Sequence, residues 1–394
     1  MFCQLEVLRH CFPSSVKLFL EELPESLDET YERILREITK PNQGHEHRLM
    51  QCLVAAVRPL EVKELAEVLA FDFNVEGIPK LNPGWRWEDQ EEAVMTACSS
   101  LVIIVKDGDS RVVQFSHFSV KEFLTANRLA EPIKDVSRYH IRLEAAHAIL
   151  ARACLGVLLR LDDDIDRDKI ENFPLARYAA RYWTTHAQTE NVLSRIKDGM
   201  ECLFDADKPH FATWQWIQGP MDTMCPEKPE LVPLHYAASF GFYDLTEHLI
   251  AKHPEHVNAR YGMEGRMTPM HHAAARGHAD ICSLLLEHGA DLEGHGYLDQ
   301  TPLHLASLTG KLEAVRCLLD HGANIDSRMR NGWTPLHRAV SKKRIQVVRF
   351  LLERGADANA RGSAGVTPFQ LAVGEEKGEE IIEVLSGYMM QSRY

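Results

Sequence analysis

The chain has 394 residues, 45% hydrophobic and 26% charged, with a formal net charge of −13 and a pI near 5.9. That length and composition fit two or three soluble domains with well-buried cores. The acidity argues against a chain that holds nucleic acid by neutralising phosphates, and no apolar run reaches the roughly 18 residues of a membrane span.

Residues 1–22 are not a signal peptide, because Glu6, Arg9, His10 and Lys17 interrupt the apolar residues; they read as a remnant helical segment. Ser26-Leu27-Asp28-Glu29 is a capping box after Pro24, and Leu27, Tyr31, Ile34, Leu35 and Ile38 follow at helical spacing, which predicts a helix over 27–39. A second helix carries Leu49, Leu53, Val54 and Val57 and stops at Pro59. A third, short one has Val62, Leu65, Ala66 and Leu69. After a loop with Pro79, Pro83 and Gly84, a fourth is expected over 90–98. Residues 101–106 and 111–115 read as strands of a hairpin around Asp107-Gly108-Asp109-Ser110. Helices followed by a small hairpin describe a winged-helix domain over 23–130. The helix before the hairpin follows Glu88-Asp89 and contains Glu91 and Glu92, and the wing tip adds Asp107 and Asp109. Carboxylates facing phosphates repel them, so a DNA-binding regulator is the disfavoured alternative.

Residues 131–228 read as a helical adaptor region. Within it, Asp162-Asp163-Asp164-Ile165-Asp166-Arg167-Asp168 imitates a calcium loop, but Arg167 stands where glycine is needed and Phe173 where the closing Glu belongs. A solvated helix connection is the better reading. The nine cysteines, at 3, 11, 52, 98, 154, 202, 225, 282 and 317, form no C-x-x-C pair and read as buried, reduced thiols.

From residue 229 onwards a 33-residue beat takes over. Thr268-Pro269, Thr301-Pro302, Thr334-Pro335 and Thr367-Pro368 recur at that spacing, and so do Gly289-Ala290, Gly322-Ala323 and Gly355-Ala356. Two markers in one period mean stacked repeats. Thr caps a first helix and Pro opens it. Gly277 and Gly310 suit a left-handed turn at its end. Leu285-Leu286, Leu318-Leu319 and Leu351-Leu352 mark a second helix, and a polar hairpin leads to the next Thr-Pro. Lys343 holds the glycine position of the fourth repeat at a cost of roughly 1–2 kcal/mol. An earlier copy, with Val232 for Thr, lies 36 residues before the next, and its three extra residues are expected in a hairpin around Tyr261-Gly262-Met263-Glu264. In the last copy Gln370 replaces His and the register slips over 374–378, as in a C-terminal cap.

Thr-Pro-Leu-His-Leu-Ala at 301–306 and Thr-Pro-Leu-His-Arg-Ala at 334–339 resemble the ankyrin signature, which implies five ankyrin repeats over 229–394. In that pattern the histidines (His271, His304 and His337, with His235) bond between the loops of adjacent repeats. One repeat apart, the rings are too far from each other to share a metal ion. The strings Leu23-Pro24-Glu25-Ser26-Leu27-Asp28-Glu29-Thr30-Tyr31-Glu32-Arg33 and Phe115-Ser116-His117-Phe118-Ser119-Val120-Lys121-Glu122-Phe123-Leu124 resemble the winged helix of fungal NACHT proteins of the NOD-like (STAND) class. Leu175-Ala176-Arg177-Tyr178-Ala179-Ala180-Arg181-Tyr182-Trp183 resembles the helical segment that follows there. No G-x-x-x-x-G-K-[ST] loop is present, so the resemblance is to such a protein without its nucleotide-binding domain.

The fold class expected is mainly α: winged helix, helical region and ankyrin α-solenoid. The function expected is non-enzymatic protein binding as the sensor surface of a NOD-like signalling protein, with no cofactor, metal, nucleic acid or membrane. A structural remnant without its own partner is the other alternative. A cytoplasmic location is expected, with the nucleus second. The binding surface proposed from sequence is basic and aromatic, for an acidic partner: Arg328, Arg330 and Trp333 before the fourth Thr-Pro, then Arg338, Lys342 and Lys343. Trp333 has two readings, an exposed anchor or a ring packed on the neighbouring hairpin.

Overall fold

A computed structural model describes residues 26–391 other than 39–42, 76, 86–88, 93, 95–100, 131–134, 163–164, 167, 219–231, 262–266, 363 and 374–378. The expectations for 1–25, the end of the 90–98 helix, Gly262-Met263-Glu264 and the slip over 374–378 lie outside the described residues. The chain divides into two compact units, 1–225 and 226–394, and helices dominate both.

In the first unit, α1 (Leu27–Glu37) starts at Ser26, whose hydroxyl accepts from Glu29 N–H at 3.2 Å. After α2 (Gln43–Ala55) come β1 (Leu60–Glu61) and α3 (Val62–Leu69). A small antiparallel pair, β2 (Phe71–Asp72) with β3 (Lys80–Leu81), occupies the expected loop. The wing is β4 (Val102–Asp107) paired with β5 (Ser110–Phe115), and β1 adds a third strand on β5. Gly108, at φ +58°, makes the tight turn between Asp107 and Ser110. The helix beginning at Gln90 is capped by Asp89, which accepts from Glu91 and Glu92 N–H. On α4 (Phe118–Thr125), Ser119 meets Tyr31 of α1 at 2.8 Å, and Phe123 packs on the Tyr31 ring. The two strings carrying the N-terminal resemblance thus touch.

Four further helices complete this unit: α5 (Leu143–Leu158), α6 (Ala176–Ala187), α7 (Leu193–Leu203) and α8 (His210–Gln218). Trp183, Phe204, Phe211 and Trp214 form one aromatic cluster, with the two indoles 5.8 Å apart. The Trp214 indole N–H donates to the Ala180 carbonyl. The buried Glu67 of α3 accepts from Leu175 N–H at 2.7 Å, tying the wing region to the start of α6. Arg58 grips Glu64 through both guanidinium nitrogens and lies over Tyr178.

The second unit stacks helix pairs: α9 (Pro233–Phe240) with α10 (Tyr243–Lys252), α11 (Pro269–Arg276) with α12 (Ala279–Glu287), α13 (Pro302–Thr309) with α14 (Leu312–Asp320), α15 (Pro335–Ser341) with α16 (Ile345–Glu353), and α17 (Pro368–Val373) with α18 (Glu379–Gln391). First helices stack on first helices and second on second. Leu303, Ala306 and Ser307 are buried, so neighbouring first helices meet over small side chains. The first helices end in left-handed residues: Gly241, Gly277, Gly310 and, at φ +55°, Lys343. The Lys343 strain read from the spacing is present. Replacing Lys343 by Gly should therefore stabilise the chain by about 1 kcal/mol, read as a higher urea midpoint with an unchanged slope.

Candidate protein-binding surface

What joins neighbouring repeats is a repeated rung. In α11 the Thr268 hydroxyl accepts the His271 N–H, while His271 Nδ1 accepts the Thr268 N–H at 3.2 Å. The ring's Nε2–H then donates to the Gln300 carbonyl of the next repeat at 3.0 Å. Thr301 and His304 repeat the arrangement onto Trp333 O, and Thr334 and His337 repeat it onto Val366 O. Pro269, Pro302 and Pro335 occupy the first helical turn, where the missing donor costs nothing. In the last repeat Gln370 Oε1 takes the place of Nδ1, accepting Thr367 N–H at 2.9 Å. In the first repeat Val232 has no hydroxyl; His235 still donates forward to Met267 O, but its buried Nδ1 has no partner.

These rings are buried and neutral. Burial pushes His271 and His304 down to about 4 and lowers His235 and His337. Only the neutral tautomer can accept at Nδ1 and donate at Nε2 together.

The six residues proposed from sequence do not form one patch. Arg328 donates to the Arg361 carbonyl of the next hairpin, and Arg330 reaches Asp299 at 3.6 Å. Trp333 is half-buried, parallel to the His337 ring, with Gly362 against its edge; a Cβ at 362 would meet the indole at 2.9 Å. Its ring packs on the neighbouring hairpin and is not an exposed anchor. Lys342 and Lys343 are exposed at the other end of α15, about 10 Å away for a seven-residue helix. Adjacency in sequence misled here, because the intervening residues are helical and carry the chain from one edge of the stack to the other.

Arg338 stands between these ends. Its Nη2 donates to Gln300 Oε1 at 3.1 Å, its Nε is buried without a partner, and it makes no ion pair among the described residues. Burial lowers its pKa. Tyr236, His272 and Leu305 hold the same place in earlier repeats, each directly after the rung histidine and each partly exposed. This row, with Phe240 stacked on Tyr236, makes an open face that is apolar at one end and cationic at the other. The sequence carried the signal, a position directly after each rung His at spacings of 36, 33 and 33 residues, but of this row the basic clustering picked out Arg338 alone. A second series was also missed. His278 and Arg344 lie over Gly241 and Gly310 of the preceding repeat and reach the Ser239 and Leu308 carbonyls, and Lys311 covers Gly277. Arg344 is therefore occupied in packing.

Residues 34–133 match the winged helix domain of GPI inositol-deacylase. Four overlapping segments, 213–295, 234–329, 292–362 and 328–390, match ankyrin repeats in three copies. The second unit is an ankyrin array. A Monascus ruber protein described as azaphilone pigments biosynthesis cluster protein L is 30% identical over 303 residues, which is 71% of this chain and 62% of that protein. Alpha-latrocrustotoxin-Lt1a of Latrodectus tredecimguttatus is 38% identical over 64 residues, 16% of this chain and 4% of the toxin. The chain thus spans less than two thirds of either relative. Ankyrin repeats are protein-interaction scaffolds, and none of these matches brings a catalytic family. Among the described residues, no helix is long and apolar enough to cross a membrane.

Two outcomes follow for the rungs. Val232→Thr supplies the missing hydroxyl and should stabilise the chain by about 1 kcal/mol in urea unfolding. Unfolded histidines take up protons near pH 6.5, whereas the rung histidines resist until about 4. Stability is therefore full above about pH 6.5 and falls on acidification towards 4, by roughly 3 kcal/mol for each such ring. His304→Gln should lose about 1–2 kcal/mol at neutral pH and show a shallower loss on acidification, measured by urea midpoints across that range.

Proposed function

We propose that this chain is a non-enzymatic scaffold that captures an acidic partner protein on the first-helix face of its ankyrin array. Its repeats serve as the sensor end of a signalling assembly of the fungal NACHT, NOD-like type. The winged helix (23–130) and helical adaptor (131–228) serve as packing elements of their own unit.

One observation carries the reading. Arg338 is a half-buried cation with no carboxylate partner among the described residues, and its buried Nε has no acceptor. A buried guanidinium left this way is an incomplete ion pair, and a carboxylate from a partner completes it. Arginine beside aromatic and apolar neighbours is the composition of interface hot spots. Tyr236, Phe240 and Leu305 provide that apolar company. Arg328, Arg330, Lys342 and Lys343 add a basic rim that raises the encounter rate with an acidic partner more than the final affinity.

The DNA-binding alternative is weakened at the wing. Glu91 is paired with Arg111 there, and Glu61, Asp89 and Asp109 line the same cleft. The name of the Monascus ruber relative places that protein with pigment biosynthesis, which favours as second reading a scaffold for a biosynthetic enzyme.

The test is an affinity capture from the source cells with the full chain, followed by titration of the partner obtained. Arg338→Glu should weaken binding by about 2–4 kcal/mol, and Arg330→Glu by less than about 1 kcal/mol. Binding kept by Arg338→Glu and lost with Arg330→Glu would move the grip to the hairpin edge and reject the first-helix face. An enzyme as the captured partner selects the biosynthetic reading over the signalling one.

A further inference from the structure

The first repeat departs from the common pattern where its second helix ends. Later repeats close that helix with Gly-Ala, whereas α10 is followed by His253 and a 3-10 turn, Pro254–Asn258. Asn258 then takes the place of Glu293 and Asp326: each accepts a backbone N–H from the next repeat, at Asp291, Asn324 and Asp357 respectively. Asn258 stands 26 residues after Val232, while Glu293 and Asp326 stand 25 after Thr268 and Thr301. One of the three extra residues of this repeat therefore lies in the turn rather than in the hairpin.

The turn places His253, Glu255 and His256 together. The two imidazoles lie 5.0 Å apart and close to parallel, at 25°. Glu255 Oε1 is 3.2 Å from His253 Nδ1 and 3.9 Å from His256 Nε2. One ligand atom from each of the three residues lies within 4.8 Å of those from the other two, and no other such trio occurs among the described residues. Pro254 fixes the turn's first φ, and residues three apart in a 3-10 turn eclipse each other, so His253 and His256 share one side.

We propose that His253, Glu255 and His256 bind a divalent transition-metal ion, with zinc the ion whose geometry they match. Zinc ligands at their usual bond lengths stand about 3.3 Å apart around a tetrahedron. The His253–Glu255 separation already meets that figure, and the two separations to His256, both within 4.8 Å, need that ring to move inward. Two imidazoles and one carboxylate select zinc, nickel or copper over magnesium and calcium, which prefer all-oxygen shells. The rings are mostly buried while the Glu255 side chain is 64% exposed, so the fourth position faces outward. That position takes water, or a donor from a bound protein. The ion would clamp the 3-10 turn onto the end of α10, where the first repeat has no Gly-Ala closure.

The experiment is calorimetric titration of the full chain with zinc alone, alongside Glu255→Gln and His256→Gln. The thermal midpoint of each protein is followed with and without zinc. The wild type should bind one zinc that both variants weaken by at least about tenfold, and zinc should raise the thermal midpoint of the wild type more than that of either variant. Magnesium and calcium should give no signal. Glu255 is largely exposed, so its variant keeps the fold and separates lost ligation from lost structure. Equal zinc binding by all three proteins would assign the ion to thiols elsewhere and overturn the site, as would the absence of zinc binding by the wild type.

Discussion

The hydrogen bond from a buried imidazole Nε2 to the backbone carbonyl of the next repeat is the contact on which the ankyrin unit depends. His271, His304 and His337 are each fixed at Nδ1 by their own threonine, so the donor at Nε2 is aimed before the neighbour arrives. The ring must be neutral to do both, and burial keeps it so. Everything on the open face is positioned by these joints. Tyr236, His272, Leu305 and Arg338 each follow a rung histidine directly, so this row inherits the spacing of the rungs.

The first unit is organised differently, by charge and aromatic packing brought inside. Glu67 caps α6 from α3, and Arg58 ties Glu64 to the Tyr178 ring. A buried carboxylate without such partners would be costly; with them it fixes where the adaptor helices begin. The wing itself is acidic at the cleft between β1 and the hairpin turn.

The repeats were legible because their signals are local and doubled. Thr, Pro, His and Gly each answer a backbone requirement at one fixed offset, so the period alone places the helices. The hairpin wing was legible for the same reason, from two short apolar segments on either side of Asp107-Gly108-Asp109-Ser110. The third strand was not: β1 is two residues long, and its pairing with Val112 and Val113 is a long-range event. The β2–β3 pair was hidden likewise. For the site, composition pointed to the basic run over 342–344, but it could not tell which cations are already occupied. Arg344 covers a glycine and Arg328 bonds a carbonyl, whereas the buried Nε of Arg338 has no acceptor. That distinction depends on neighbours one repeat away. Gln370 in place of His was read as a defect marking the cap; it keeps the Thr367 bond and drops only the forward one.

The acceptors of the four forward bonds belong to Met267, Gln300, Trp333 and Val366, residues with nothing in common but a peptide carbonyl. A joint made in this way is blind to the side chain on its far side. Mutation is thus free to vary what each repeat shows to the outside without loosening its grip on the next. A chain joined so can change the side chains on its surface without changing its architecture.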